Sequence, residues 1–161
     1  MQQTIINRIN IMAKIFETSG DIVEMAENAF NETGLPQIGI RLKVMSLTKA
    51  NTIVKACKAS ATTEFLTHGD GTVHLFIYET AFDRLSDDMK KKLLEGALSN
   101  VSYDDEKDKL NVDNSQYGEL IRMRRKYPDY PDIIENSVLL IEQIAEEEKE
   151  KKAAEKEMKR K

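Results

Sequence analysis

The chain has 161 residues, 40% apolar and 32% charged, with 24 basic and 28 acidic side chains for a net charge of −4. That length fits one domain with a core of useful size, and the balance excludes wholesale disorder and bulk electrostatic attachment to DNA. No apolar run reaches the ~18 residues of a membrane span, MQQTIINRINIMAKIF lacks the features of a secretory signal, and the lone Cys57 can close no intramolecular disulfide, so a reducing intracellular compartment is expected.

The first predicted element is helical, over residues 4–33. Ile5, Ile9, Met12 and Phe16 form one stripe, interrupted at Ser19-Gly20. Asp21 with Glu24 then restarts the helix as a cap and an acidic third position. Ile22, Ala26, Ala29 and Phe30 continue it until Gly34 and Pro36 stop it. Residues 38–44, IGIRLKV, alternate apolar and polar and predict a strand with one buried face. Residues 52–58 and 62–67 are weaker strand candidates, HGDG at 68–71 is a turn, and VHLFIY at 73–78 has the strongest strand character in the chain.

A helix is predicted over 86–101, with Ser86 as its cap, Asp87 and Asp88 at the positive end of its dipole, and Met89, Leu93, Ala97 and Val101 on its apolar face. Lys90, Lys91 and Lys92 lie near its start, where cations are unfavourable. An acidic connection, YDDEKDKLNVD, leads to a helix over 115–126 capped by Ser115 and ending before Pro128. Its predicted inward face is Tyr117, Leu120 and Ile121, and Arg122, Arg125 and Lys126 face out. A long helix over 131–161 carries Ile134, Val138, Ile141 and Ala145 as its stripe. Beyond Ala145 six acidic and seven basic residues leave a solvated helix supported by pairs four residues apart. The expected fold class is α+β: a small sheet of three or four strands packed against helices, with residues 1–130 as the domain and 131–161 as a C-terminal helix with a charged tail.

Chemistry has few candidates. Trp is absent, and His68 and His74 are the only histidines. One falls in a turn and the other in a strand, which suits surface or hydrogen-bonding roles better than a metal pair. Cys57, between Lys55 and Lys58, sits where cations would lower a thiol pKa, although a small side chain in a strand serves as well as packing. The carboxylates at 104–108 lack the glycine and glutamate positions of a calcium loop. Neither a G-x-S-x-G elbow nor a G-x-x-x-x-G-K phosphate loop is present. Two basic clusters remain, Lys90–Lys92 and Arg122, Arg124, Arg125 and Lys126 beside Tyr127 and Tyr130. The second combines phosphate-gripping and stacking groups, or else forms an ordinary solvated helix face.

A strand followed by a helix bearing H-E-x-x-H is the zincin arrangement: two imidazoles one turn apart bind zinc, and the glutamate between them acts as base. VHLFIYETAFDRLSDDMKKKLLEGALSNVSYDDEKDKLNV together with GELIRMRRKY resembles the zincin-like phage metallopeptidase family over residues 73–127, with 38–44 as an earlier strand. The resemblance lies in the strand, Phe82-Asp83-x-Leu85, the Leu-Leu helix, the Tyr103–Leu110 run and the closing helix ending in Lys-Tyr. On that family's helix the first ligand histidine falls on Gly96, the catalytic glutamate on Ala97 and the second ligand histidine on Asn100, while Leu98 and Val101 keep its apolar positions. Glycine and alanine carry no such chemistry, and a neutral amide is a poor substitute for imidazole.

What the resemblance implies is a pseudo-enzyme on a zincin-like scaffold, of phage or prophage origin, without cofactor or bound metal. It would act by protein–protein contact in the host cytoplasm or the virion. The surface around Gly96 and Asn100 and the C-terminal helix are the expected contact regions. Two alternatives stand beside it: a nucleic-acid-associated protein using Arg122, Arg124, Arg125 and Lys126, and a metallohydrolase with unusual ligands.

Overall fold

The computed structural model of the protein describes residues 14–58 and 71–160. Over those residues the chain is α+β, with a four-stranded sheet, a separate two-stranded hairpin and five α-helices, the last of them long and charged. Strands β1 (Ile15–Glu17), β2 (Arg41–Leu47), β3 (Val54–Lys58) and β4 (Thr72–Tyr78) lie in the spatial order β1-β2-β4-β3. β2 and β4 are parallel, and β1 and β3 add antiparallel on either side.

Register divides the sheet into two faces. Val44, Leu75 and Ala56 stand side by side, as do Ser46, Ile77 and Val54. Val73, Leu75 and Ile77 are wholly buried. Helices α1 (Gly20–Glu32) and α3 (Asp87–Leu98) close over this face with Ile22, Ala26 and Phe30 from the first and Leu93, Leu94, Ala97 and Leu98 from the second. A short helix, α2 (Glu79–Phe82), links β4 to α3 and buries Phe82. Burial of each large aliphatic chain contributes roughly 1.5–3 kcal/mol against chain entropy.

Behind α3 a hairpin, β5 (Val101–Asp104) and β6 (Lys109–Val112), leads into α4 (Gln116–Lys126) and then α5 (Tyr130–Arg160). Both serine caps form as expected. The Ser86 hydroxyl accepts from the Met89 N–H at 3.3 Å and that of Ser115 from the Gly118 N–H at 3.2 Å, each satisfying a donor the helix start leaves open. α5 has 31 residues, a rod of about 46 Å. Tyr130, Ile133, Ser137 and Ile144 bury its first half against the same core, and from Glu146 to Arg160 every residue is exposed. No helix of the described residues is long and apolar enough to cross a membrane.

Several boundaries and faces differ from expectation. Within the stretch expected to be helical over 4–33, Ile15–Glu17 is instead a strand paired with the open edge of β2, and helix follows from Gly20, at the break expected at Ser19-Gly20. Residues 4–13, the strand candidate 62–67 and His68 lie outside the described residues. The strand expected at 38–44 starts at Arg41, since Leu35–Ile38 forms a 3₁₀ turn closed by Gly39 at φ 88°. Val101 opens β5 instead of ending the helix, and the acidic connection is the hairpin turn itself. There the Asp104 carboxylate accepts from the N–H groups of Glu106 and Lys107 at 3.0 and 3.3 Å, and Asp108 takes a left-handed φ of 47°. On α4, Tyr117 and Ile121 face outward at 74% and 41% exposure, and Met123 is the buried residue, with Leu120 partly covered. On α5 the stripe sits one residue earlier than expected, on Ile133, Ser137 and Ile144, and Val138 is exposed.

Candidate functional site

α3 packs under the sheet through Leu93, Leu94, Ala97 and Leu98, which turns Gly96 and Asn100 toward α4 and α5. Gly96 is buried because the phenol end of Tyr130, the first residue of α5, lies against it. A Cβ at position 96 would overlap the Tyr130 hydroxyl and stand 2.7 Å from its Cζ. Tyr130 is wholly buried. Its hydroxyl donates to Glu119 Oε2 at 2.7 Å. The phenol is held far above its ordinary pKa, first by burial and then by the neighbouring Glu119 charge.

Glu119 links that phenol to Asn100. Its Oε1 accepts from Asn100 Nδ2 at 2.9 Å, and Asn100 Oδ1 accepts from Arg122 Nη2. The amide orientation is dictated by its neighbours, since a carboxylate only accepts and a guanidinium only donates. Arg122 Nη1 also lies 3.5 Å from the Asp113 carboxylate, its Nε points at Ser99 Oγ at 3.5 Å, and Ser99 Oγ donates to the Gly96 carbonyl at 2.6 Å. The result is one continuous polar chain, Tyr130–Glu119–Asn100–Arg122–Asp113, that ties α3, α4 and α5 together.

Above this chain opens a cleft of about 200 Å³. Val54 and Ala56 of β3 form one wall, and Leu120, Ile134, Val138 and Ile141 of α4 and α5 form another, with Asn100, Glu119 and Tyr130 as its polar floor. The arrangement offers hydrogen-bonding oxygens and an apolar slot. Among the described residues, no imidazole and no thiol lines it. His74 projects from β4 on the side away from the buried Val73 and Leu75, and its strand neighbour there is Cys57. Among the described residues no group of three or more His, Cys, Asp or Glu side chains converges as a metal site would need.

The two basic clusters are largely engaged within the fold. Lys92 Nζ reaches Asp88 at 2.9 Å and Asp129 at 3.0 Å, and Lys126 Nζ reaches Glu95 at 3.1 Å. These bonds raise both ammonium pKa values. The same two nitrogens lie over the Tyr127 ring, 4.9 and 5.3 Å from its centroid, and Lys90 lies 5.6 Å from the Phe82 ring centroid. These contacts explain how cations persist in the early turns of α3: aromatic faces and carboxylates offset the helix dipole. Of the expected patch, Arg122 belongs to the polar chain and Lys126 to Glu95. Arg124 and Arg125 are exposed, and among the described residues no ion pair engages them.

Gly96 and Ala97 on α3 and Asn100 in the turn just after it are thus brought together, but the residues that complete the site are Glu119 and Tyr130, neither of which the sequence marks for this role. Glu95 was also missed. Its side chain is only 10% exposed, with one oxygen on Lys126 and the other unpartnered. The available signal was a helix glycine on an otherwise well-formed apolar face, which asks for a large neighbour. No family model, no curated protein and no solved structure matches the chain.

Proposed function

We propose that the protein is a non-catalytic, zincin-like binding protein of phage or prophage origin, a pseudo-metallopeptidase. It recognises another protein through the cleft above Asn100, Glu119 and Tyr130, with the charged end of α5 as a second contact region. The observation that carries the reading is the Tyr130 ring against Gly96. In the zincin arrangement that position aims an imidazole at the metal. Here the same volume holds a phenol whose hydroxyl already has its partner. Ala97, in the position of the general base, is buried in the core, and Asn100 spends its amide on Glu119 and Arg122. What remains open is an apolar cleft with a polar floor, the usual form of a recognition site.

Two measurements test this. Elemental analysis of protein purified without chelator is expected to find no stoichiometric zinc, and a peptidase assay no hydrolysis; zinc at one equivalent would overturn the reading. Affinity capture from the native cell, followed by mass spectrometry, compares the full chain with Val138→Glu in the cleft and with a chain lacking residues 146–161. The specific partner is expected to be lost with Val138→Glu. Loss with the truncation alone would move the contact to the tail, and retention by both variants would refute both sites.

A further inference from the structure

The face of the sheet turned away from α1 and α3 plays no part in the cleft. Alternation in β2, β4 and β3 fixes what it carries. Val73, Leu75 and Ile77 enter the core, so His74 and Phe76 project to the other side. Lys43 and Cys57 flank His74, and Met45 and Lys55 flank Phe76. Arg41 extends the same row of β2. Arg41, Lys43 and Lys55 are exposed, and Met45, His74 and Phe76 are half-buried. The two rings meet edge to face, 6.5 Å between centroids. Glu17 of β1, beside Met45, is the only carboxylate in the four strands. A chain of net charge −4 therefore presents one cationic face, with aromatic rings at its centre.

The structure assigns to this face the binding of single-stranded nucleic acid. Phe76 is the platform on which an unpaired base stacks, and Arg41, Lys43 and Lys55 hold the flanking phosphates. Lys55 stands directly beside Phe76 on β3, about 4.8 Å from it across the sheet, and Lys43 lies diagonally from the ring on β2, beside His74, so the two cations bracket the platform from opposite strands. Duplex DNA does not suit the face. Its major groove admits a helix or a two-stranded ribbon, not a broad sheet, and its bases are already stacked on one another. A lipid surface does not suit it either, because Phe76 and Met45 lie half-buried between long cationic chains and present no apolar wedge. The assignment is independent of the cleft and of the α4 cluster.

Fluorescence anisotropy of a labelled oligo-dT of about 12 nucleotides, titrated with the full chain from about 50 to 200 mM salt, tests it. Three phosphate contacts give a slope of log affinity on log salt near −2. Arg41→Glu with Lys43→Glu and Lys55→Glu is expected to abolish binding. Phe76→Leu, which keeps apolar volume but removes the ring, is expected to weaken it about 5- to 150-fold. Arg124→Glu with Arg125→Glu should leave it unchanged. The chain has no tryptophan, so Phe76→Trp supplies a single reporter whose emission is expected to be quenched as the base stacks; this readout stands even if Phe76→Leu fails to fold. Absence of binding at about 50 mM salt, equal affinity for a duplex, an undiminished affinity in the triple variant, or loss through the α4 variant would each overturn the assignment. So would charge-dependent binding to phosphatidylglycerol vesicles without binding to the oligonucleotide.

Discussion

Replacing Gly96 by alanine reverses the usual expectation for a helix glycine. In an open helix interior the change stabilises by about 1 kcal/mol, because glycine has the greater backbone freedom to lose. At position 96 the new methyl would overlap the Tyr130 hydroxyl and stand 2.7 Å from Cζ, so the ring must move. Overpacking costs about 1–3 kcal/mol. Pulling the hydroxyl from Glu119, 2.7 Å away, removes a bond to a charged acceptor worth about 1.5–3 kcal/mol. The net expectation, after the propensity gain, is a destabilisation of about 1.5–5 kcal/mol, a fall in melting temperature of about 3–20 °C for a chain of this size. The decisive assay is a double-mutant cycle with Tyr130→Leu, read by thermal and urea unfolding. In that background the clash has no partner, and Gly96→Ala is expected to be neutral or mildly stabilising, giving a coupling of about 2 kcal/mol or more. A Gly96→Ala protein that melts higher than the parent, or a cycle with no coupling, would refute the packing argument and with it the observation on which the pseudo-enzyme reading rests.

Three further outcomes follow from the same contacts. Leu94→Ala removes a side chain that is 1% exposed between α3 and the sheet and should cost about 2–5 kcal/mol in chemical denaturation, whatever the protein binds. Tyr130 keeps its proton in the folded state beyond the pH at which an unfolded tyrosine, with pKa about 10, releases it; since the folded value is raised, its contribution is complete below that pH and declines as the solution grows more alkaline. Absorbance at 295 nm should therefore show Tyr130 ionising together with the loss of far-UV circular dichroism, and Tyr130→Phe should remove that one phenolate from the alkaline transition. Among the described residues, truncation after Glu148 deletes only exposed ones, and it should leave the melting temperature within about 2 °C of the parent; a larger loss would mean that the tail packs on the body.

The fold was legible where one physical signal dominated. Alternation in residues 38–44 and the β-branched run at 73–78 point to strands, the first of which forms from Arg41, and the serines at 86 and 115 cap helices as their hydroxyls suggest. The errors arose where two signals competed. Phe16 fits a helical stripe with Ile5, Ile9 and Met12, but the edge of β2 offers Ile15–Glu17 a ladder of backbone hydrogen bonds, which periodicity does not report. Val101, Tyr103, Leu110 and Val112 alternate as a hairpin, but the acidic run between them reads as solvent-exposed connection; the turn is closed by the Asp104 side chain and a left-handed Asp108, neither of which periodicity reports. On α5 the presence of isoleucines at 133, 134, 141 and 144 allows two stripes, and Tyr130, docked on Gly96, selects the one that buries Ile133 and Ile144.

The site shows why a missing ligand and a packing requirement look alike in sequence. Gly96, Ala97 and Asn100 read as three losses because each lacks the group that zinc chemistry demands. The structure gives each a positive role: Gly96 makes room for a buried phenol, Ala97 fills the helix–sheet interface, and Asn100 joins a carboxylate to a guanidinium. These roles depend on Glu119 and Tyr130, which lie 19 and 30 or more residues further along the chain, so no local spacing links them. They also depend on one another. A side chain at 96 displaces Tyr130, a displaced Tyr130 strips Glu119 of a donor, and a freed Glu119 loosens the amide of Asn100. Rebuilding an imidazole at any one of these positions therefore works against the other contacts, which makes the helix a committed structural joint and leaves the cleft above it as the part still open to a partner.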